Sequence, residues 1–500
     1  MTCICHISYC SILYLVLAAV LYGCSGHSAL PEGAQRQWTV KLPDLGSSSS
    51  PRARDLNADG ILDIVFGTGK SEFMYCDTAI VAMNGANGKV LWTAASRDQI
   101  FGSPNFMDIT GDGVDDVFIG GRSARFLAID GLSGKTIWEF FPQGDTVDSF
   151  LHQLYNFYQP QFIRDVTSDG VKDIIVSNGG YIKAAPGNPD RPPGKLMIID
   201  AMTGRLIVEA YMPDGRETYM SVVLSDFGSD TEYVIFGTGG ETVGGSLYKI
   251  PLKEVFAGTL EGAVLLVSGQ QKGFIAPPVL VDISQDGVED IVVNAVDGRI
   301  IAIDGQNNDI LWETTIENTE AYCSLAVGYF TPDSIPDFFT NFGIGTFPDL
   351  MRSYQLMING SNGNIERKDS LGSFHYASPV VYDFTGDGRD DILYPINYNQ
   401  YGTVANQLKV FDFHNDTILN VHPRFFIGAN IGPSPWLGDL DNDKLLDIIY
   451  IHENNPVDFF SLEKKEGIVV HKMTTGIELT SPLLWGSYMG TSFDGIYHKK

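Results

Sequence analysis

Short apolar runs recur along the chain, each directly after a cluster of Asp and Gly. They include Ile64-Val65-Phe66-Gly67, Val117-Phe118-Ile119-Gly120, Ile174-Ile175-Val176, Ile291-Val292-Val293 and Ile448-Ile449-Tyr450. Runs this short and continuous, rich in β-branched residues and bounded by turn formers, predict buried strands. A second apolar strand, often led by Pro, precedes each cluster: Ser103-Pro104-Asn105-Phe106, Pro278-Val279-Leu280-Val281, Ser378-Pro379-Val380-Val381 and Ser434-Pro435-Trp436-Leu437. Farther on comes a hairpin pattern, seen from Val81 to Trp92, Leu127 to Trp138 and Ile301 to Trp312, with looser copies from Met197, Leu356 and Val410. Gly or Asn sits where its tight turn needs positive φ. One unit therefore reads strand, Asp-Gly loop, strand, longer loop, strand, tight turn, strand. No stretch beyond the first 23 residues sustains a 3.6-residue period, so the body is predicted to be all-β.

The Asp-Gly cluster is a nonamer with oxygen side chains at positions 1, 3, 5 and 9 and Gly at position 6. Its copies carry Asp55, Asn57, Asp59 and Asp63; Asp108, Thr110, Asp112 and Asp116; and Asp165, Thr167, Asp169 and Asp173. They continue with Asp282, Ser284, Asp286 and Asp290; Asp383, Thr385, Asp387 and Asp391; and Asp439, Asp441, Asp443 and Asp447. Two degenerate copies start at Asp226 and Tyr329. First positions at 55, 108, 165, 226, 282, 329, 383 and 439 repeat every 47 to 61 residues. A period of that size, in units of four strands, predicts a β-propeller with eight blades, seven or nine being the alternatives. The lone strand Trp38 to Leu42 is the candidate to close the ring. Ser481-Pro482-Leu483-Leu484-Trp485 reads like the start of another first strand.

Oxygens at alternate positions around a sharp turn are how a chain wraps a hard cation such as Ca²⁺. Position 7 offers only its carbonyl, which makes Ile61, Val114, Val171, Val288, Arg389 and Leu445 acceptable there. An EF-hand would need Glu at position 12 on an exiting helix. Here that position is Phe66, Ile119, Val176, Val293, Tyr394 or Tyr450, inside apolar strands. The expected cofactor is structural Ca²⁺ in several loops, weakest at Asp439, where Lys444 replaces the position 6 Gly, and excluded from the two degenerate copies. A metal-free Asp/Gly turn is the bland alternative, and six complete copies argue against it.

The formal net charge of −28 argues against nucleic acid and anionic membrane surfaces as partners. Residues 1–23 contain no Lys, Arg, Asp or Glu, and the apolar run from Ser11 to Gly23 is too short to span a bilayer but suits a signal-peptide core. The division expected is a signal over 1–23, a tether over 24–36 and one propeller domain over 37–500. Once the signal and Cys24 are set aside, Cys76 and Cys323 remain, in different repeats, so no disulfide framework is expected.

Three resemblances follow from these motifs. Leu21-Tyr22-Gly23-Cys24-Ser25 resembles a bacterial lipobox, which implies lipidation of Cys24 and an exported lipoprotein of the outer membrane, periplasmic or on the cell surface, with ordinary secretion as the alternative. The nonamer-plus-strand units resemble the FG-GAP (VCBS-type) repeats of integrin α-like propellers. The hairpins, as in Asp130-Gly131-Leu132-Ser133-Gly134-Lys135-Thr136-Ile137-Trp138, are similar to the repeats of pyrroloquinoline-quinone-type propellers, including the scaffold lipoprotein of the outer-membrane assembly machine.

The nonamers and tight hairpins are expected on one face of the disc and the variable loops on the other. Those loops, 144–161, 179–195, 237–246, 342–354 and 398–401, carry Phe150, Leu154, Tyr155, Phe157 and Tyr158 among others, and imply a protein or carbohydrate partner there. Trp92, Trp138 and Trp312 are assigned to packing between blades. No nucleophile motif, zinc ligand pair or phosphate loop is present. Two enzyme readings follow from the fold resemblance. A quinoprotein would need an adjacent-cysteine pair, which the sequence lacks. A polysaccharide lyase would need a base and cations such as His152, Lys183, Arg191 and Arg352 to converge. A binding or scaffold module is the leading expectation.

Overall fold

The computed structural model describes residues 34–123, 125–140, 156–180, 188–400, 403–454 and 466–498. Cys24 and the signal, Phe150, Leu154, Tyr155, His152 and Lys183 lie outside them. The described chain forms eight antiparallel sheets, each with at least four strands, arranged as the blades of a propeller. Blade 1 shows the plan: Arg52–Arg54, Asp63–Gly67, Cys76–Met83 and Val90–Ser96 pair in sequence order. The second strand is buried along its whole length, because both faces of an inner propeller strand lie against neighbouring blades. Blades 3, 6 and 7 each add a short fifth strand. Among the described residues the one α-helix is Leu252–Phe256, in the third-to-fourth strand turn of blade 4.

The ring closes with the N-terminal strand Gln35–Pro43, which becomes the outermost strand of blade 8 beside Gly467–Glu478, with Trp38 opposite Lys472 and Val40 opposite Val470. Tryptophans then bolt blade to blade. Trp38, Trp92, Trp138 and Trp312 each donate an indole N–H to a carbonyl in the following blade's hairpin: Gly85, Gly131, Ala201 and Gly360, at 2.7–2.9 Å. The second hairpin glycine of that blade lies flat against the same ring. Gly134, at φ +71°, would place a Cβ 2.5 Å from Trp92 Cγ, so both its dihedral and its lack of a side chain are required. Cys76 and Cys323 are free and buried, in blades 1 and 6.

The C-terminal segment departs from the sequence expectation. Ser481-Pro482-Leu483 does not start a further blade. The chain leaves blade 8 and crosses the central channel, touching the inner strands around the ring. Backbone N–H groups of Val381, Leu437 and Leu280 donate to the carbonyls of Trp485, Gly486 and Gly495. Trp485 is 2% exposed. The side chain of Arg52, fully buried, ties this plug to three blades. It donates to Pro104 O at 2.8 Å, Asn105 Oδ1 at 2.5 Å, Gln159 Oε1 at 2.7 Å and Tyr488 O at 3.0 Å, and its guanidinium sits 3.9 Å from the centre of the Phe493 ring. Burial drags its pKa down to about 9. The motif was misread because a plug needs the same apolar residues as an inner strand.

Two of the loops expected to be long are instead strand. Asp391–Gln400 pairs with Thr403–Asp412 as one extended hairpin, so Tyr398 is in the sheet. Asp337–Ile344 and Arg352–Ile358 likewise shorten the loop of blade 6 to residues 345–351.

Candidate cation loops and binding face

The two faces of the disc carry different chemistry. On one lie the nonamers and the tight hairpins, locked together by the position 9 carboxylate. Asp116 Oδ2 accepts the backbone N–H groups of Ile109 and Thr110, at 2.8 and 3.0 Å, while Oδ1 accepts that of Gly131 in the hairpin, at 3.0 Å. Asp63, Asp290 and Asp337 bridge nonamer to hairpin in the same way. Blade 6 keeps this arrangement although its loop has Tyr329 in place of the position 1 carboxylate and Ser334 in place of the Gly. The position 9 Asp is therefore a structural clamp in its own right.

Within the loop, the position 1 carboxylate accepts N–H groups from the turn itself, as Asp108 does from Gly111 at 2.7 Å and Gly113 at 3.0 Å. Position 5 accepts from position 7, as Asp112 Oδ1 does from Val114 at 2.9 Å. Backbone at positions 4 and 6 is left-handed, with φ +75° at Gly111 and +89° at Gly113. Burial lifts Asp63 to about 6, helped by the charges of Asp59 and Asp55.

The loop at Asp383 gives the clearest test of fit to a cation. Asp391 Oδ1 and Thr385 Oγ1 are both buried and accept or donate no hydrogen bond. Burial first, then the charge of Asp412, then Asp383 and Asp387, push Asp391 up to about 8. Two buried oxygens without donors, beside the charges of Asp383 and Asp387, match what a Ca²⁺ ion needs. Asp383, Thr385, Asp387, Asp391 and the Arg389 carbonyl would hold it, with the corresponding residues at Asp55, Asp108, Asp165 and Asp282. The loop at Asp439 differs in having a carboxylate at position 3: Asp439, Asp441 and Asp447 come within 4.8 Å of one another, whereas the five loops carry Asn, Thr or Ser there.

On the other face, the blade-to-blade links line the channel mouth. Two residues before each inner strand stand Ser50, Ser103, Gln159, Ser221, Pro277, Ser324, Ser378 and Ser434. From Ser324 in blade 6, through blades 7, 8 and 1, to Ser103 in blade 2 they form a hydrogen-bonded arc, and Gln159 donates separately to Ser221 Oγ at 3.3 Å. The N–H of Ser434 donates to Ser50 Oγ at 3.0 Å, that of Ser50 to Ser103 Oγ at 3.1 Å, and that of Ser378 to Ser434 Oγ at 2.9 Å. Two residues earlier still come Ser48, Phe101, Phe157, Tyr219, Ile275, Tyr322, Tyr376 and Gly432. Blades 2, 4, 5, 6 and 7 present a large apolar side chain at this level and blades 8 and 1 a small one, giving a mostly aromatic crescent with a gap. Phe157, expected on a partner-binding loop, is instead a short strand residue 1% exposed and packed on Phe126 and Phe140.

Acidic groups thread the crescent. Tyr219 donates to Glu217 Oε2 at 3.0 Å, and Arg191 pairs with the same carboxylate at 3.5 Å. Tyr322 donates to Glu320, which also pairs with Lys272. The Tyr158 and Tyr219 rings meet edge-on at 6.2 Å; Tyr322, Phe374 and Tyr376 form a second edge-on cluster with centroids 5.1–5.5 Å apart. Burial, and then the nearby carboxylates of Glu217, Glu320 and Glu241, raise the hydroxyl pKa values of Tyr219 and Tyr322 far above the usual range and that of Tyr376 to about 12.

Of the residues a lyase would need, His152 and Lys183 lie outside the described residues, and the two described ones stand in different blades. Arg191 is engaged with Glu217 in blade 3, and Arg352 donates to Ser370 in blade 6. Sequence reasoning missed Tyr219, Tyr322 and Tyr376. Their signal was the spacing Tyr-x-Ser just ahead of an inner strand, visible only once the strands were placed.

The chain is thus an eight-bladed β-propeller with acidic strand-connecting loops on one face and a channel filled by its own C-terminal segment. No protein-family model matches the sequence. Human FAM234B is 22% identical over 421 residues, which are 77% of this chain and 62% of that protein, so the chain spans about three-fifths of its length. A europium-containing methanol dehydrogenase superposes with a TM-score of 0.57 at 11% identity, over 88% of this chain and 93% of that one. Quinohemoprotein alcohol dehydrogenase from Comamonas testosteroni gives 0.56 at 12%, over 91% and 78%. These likenesses are of fold. The residues here do not fit a quinone held by adjacent cysteines, since the two free cysteines are buried in separate blades.

Proposed function

We propose that this protein is a binding module whose ligand is a protein, taken on the aromatic crescent at the channel mouth, while Ca²⁺ in the FG-GAP-like loops of the opposite face stiffens the blades. The observation that carries this reading is the crescent itself. It is a set of partly exposed aromatic side chains, Phe101, Tyr219, Tyr322 and Tyr376, on links tied by the serine hydrogen bonds, above a channel that the chain has filled. Rigid aromatics over a fixed scaffold are the material of interface hot spots. A protein ligand is favoured over a sugar because the rings pack edge to face, Tyr322 against Tyr376 at 89°, and leave no flat platform for a pyranose to stack on.

The test is a displayed-peptide library and a glycan array, each probed with the intact protein and with Tyr219→Ser and Tyr376→Ser. Peptide ligands lost in both variants, with the melting temperature kept, support the reading. Glycan ligands lost in both would move it to carbohydrate, and ligands indifferent to both variants would overturn it.

Export with a lipid on Cys24 is part of the same proposal, supported by the apolar run to Gly23 and by residues 21–25.

A further inference from the structure

Two of the eight blades carry a lysine where the others carry an uncharged side chain. The position is on the third strand, opposite the residue two beyond the end of the acidic loop. It is Ala82, Ala128, Ile198, Ala302, Met357 and Val410 in blades 1, 2, 3, 5, 6 and 7. In blade 4 it is Lys249, opposite Ile235, and in blade 8 it is Lys472, opposite Ile449. Blades 4 and 8 are also two of the three whose loops depart from the nonamer pattern. Blade 4 has a shortened loop with Tyr233 where the position 9 Asp should be, and blade 8 has Lys444 in place of Gly, at φ +67°.

Both lysines reach under their loops. The side chain of Lys472 is 2% exposed, and its ammonium pairs with Asp441 and, at 3.3 Å, with Asp447. Those carboxylates and Asp439 make up the one cluster of three acidic side chains, among the described residues, whose oxygens all lie within 4.8 Å of one another. In blade 4, where the loop offers no such carboxylates, Lys249 Nζ lies 4.4 Å from the centre of the Phe227 ring and 5.2 Å from that of Tyr233, and donates to Gly305 O at 3.2 Å. Both arrangements give an ammonium the partners it needs when it leaves water: carboxylates in one, ring faces and a carbonyl in the other.

We infer that Lys249 and Lys472 are tethered cations that do in blades 4 and 8 what Ca²⁺ does elsewhere, so that divalent ions are confined to the five loops starting at Asp55, Asp108, Asp165, Asp282 and Asp383. This rests on the calcium reading of those five. The ammonium of Lys472 stands among the oxygens that an ion in blade 8 would use, and its charge repels one. Removing it should unmask the site. The three carboxylates are already converged, and glycine at position 444 would relieve the left-handed turn.

The experiment is native mass spectrometry of the full chain in calcium, with urea unfolding in calcium-free and calcium-containing buffer. Wild type should hold five ions. Lys472→Met combined with Lys444→Gly should hold six. Lys472→Met alone should lose at least roughly a hundredfold in folding constant without calcium, because three carboxylates are left without a counter-charge, and should recover in millimolar calcium. Lys249→Met should stay at five, since its shortened loop has Gly228 at position 3 and Tyr233 at the end and so no converged carboxylates to unmask. Six ions in wild type, or a Lys472→Met variant that keeps its stability in calcium-free buffer, would overturn the inference. A wild type holding no ion fails the calcium reading instead, and the calcium-free stability of Lys472→Met then decides the role of the ammonium by itself.

Discussion

Arg52→Met isolates the joint between the plug and the ring. Two effects oppose each other. The guanidinium is fully buried and pays a desolvation cost large enough to bring its pKa down to about 9, so an apolar replacement recovers that cost. Against this, four acceptors lose their donor: the carbonyls of Pro104 and Tyr488 and the side-chain oxygens of Asn105 and Gln159. Each buried acceptor left unmet costs about 1–3 kcal/mol. Contact with the Phe493 ring, desolvated, is worth about 2 kcal/mol more. The second group outweighs the first, and Arg52→Met should destabilise by about 3 kcal/mol. Urea unfolding followed by tryptophan fluorescence reads this directly, since Trp485 lies in the plug. Arg52→Lys should recover less than half of the loss, because an ammonium cannot reach four acceptors with a planar fork. A cycle with Phe493→Ala should show coupling of about 1 kcal/mol or more. If Arg52→Met is as stable as wild type, the burial cost dominates and the joint is not held as described.

Other expectations concern the hairpins, the histidines and the anchor. Gly134→Ala places a methyl against the Trp92 ring and should cost more than about 2 kcal/mol, whereas Gly60→Ala, with φ +84° and nothing within 4 Å, should cost about 1 kcal/mol by urea unfolding. His375 and His452 are fully buried, and burial lowers both to about 4. The unfolded chain takes up these protons near pH 6.5 and the folded chain only near 4, so the stability these two histidines contribute is present above pH 6.5 and lost down to about pH 4, against the opposite drift of the raised carboxylates Asp63 and Asp391. A difference in denaturation midpoint between wild type and His375→Gln/His452→Gln that is flat across that window refutes this. Metabolic labelling with a fatty acid should be lost in Cys24→Ala.

Much of this molecule was legible because the repeat converts local chemistry into architecture. The nonamers, the Pro-led strands and the Trp hairpins each specify one turn or strand, and eight copies leave little choice of fold. Trp38 could be matched to ring closure because it stands alone ahead of the first unit. What escaped detection depends on a meeting of distant segments. The plug of residues 483–497 has the composition of an inner strand, and only the crowded axis shows where it goes. The crescent draws its side chains from five blades. Lys249 and Lys472 acquire meaning only through cross-strand register, which places them under loops about 23 and 33 residues upstream. Tyr398 was assigned to a loop because polar residues surround it, but a long hairpin at the disc surface tolerates them.

The claim that most of the account depends on is that the acidic loops are structural clasps for a cation. At an ion concentration a hundred times the dissociation constant, each site adds about 2.7 kcal/mol to the folded state. Thermal unfolding of the full chain in millimolar calcium and in chelator tests this directly. The account predicts a melting temperature at least about 5 °C lower in chelator, restored by adding calcium back. Identical melting curves would contradict it.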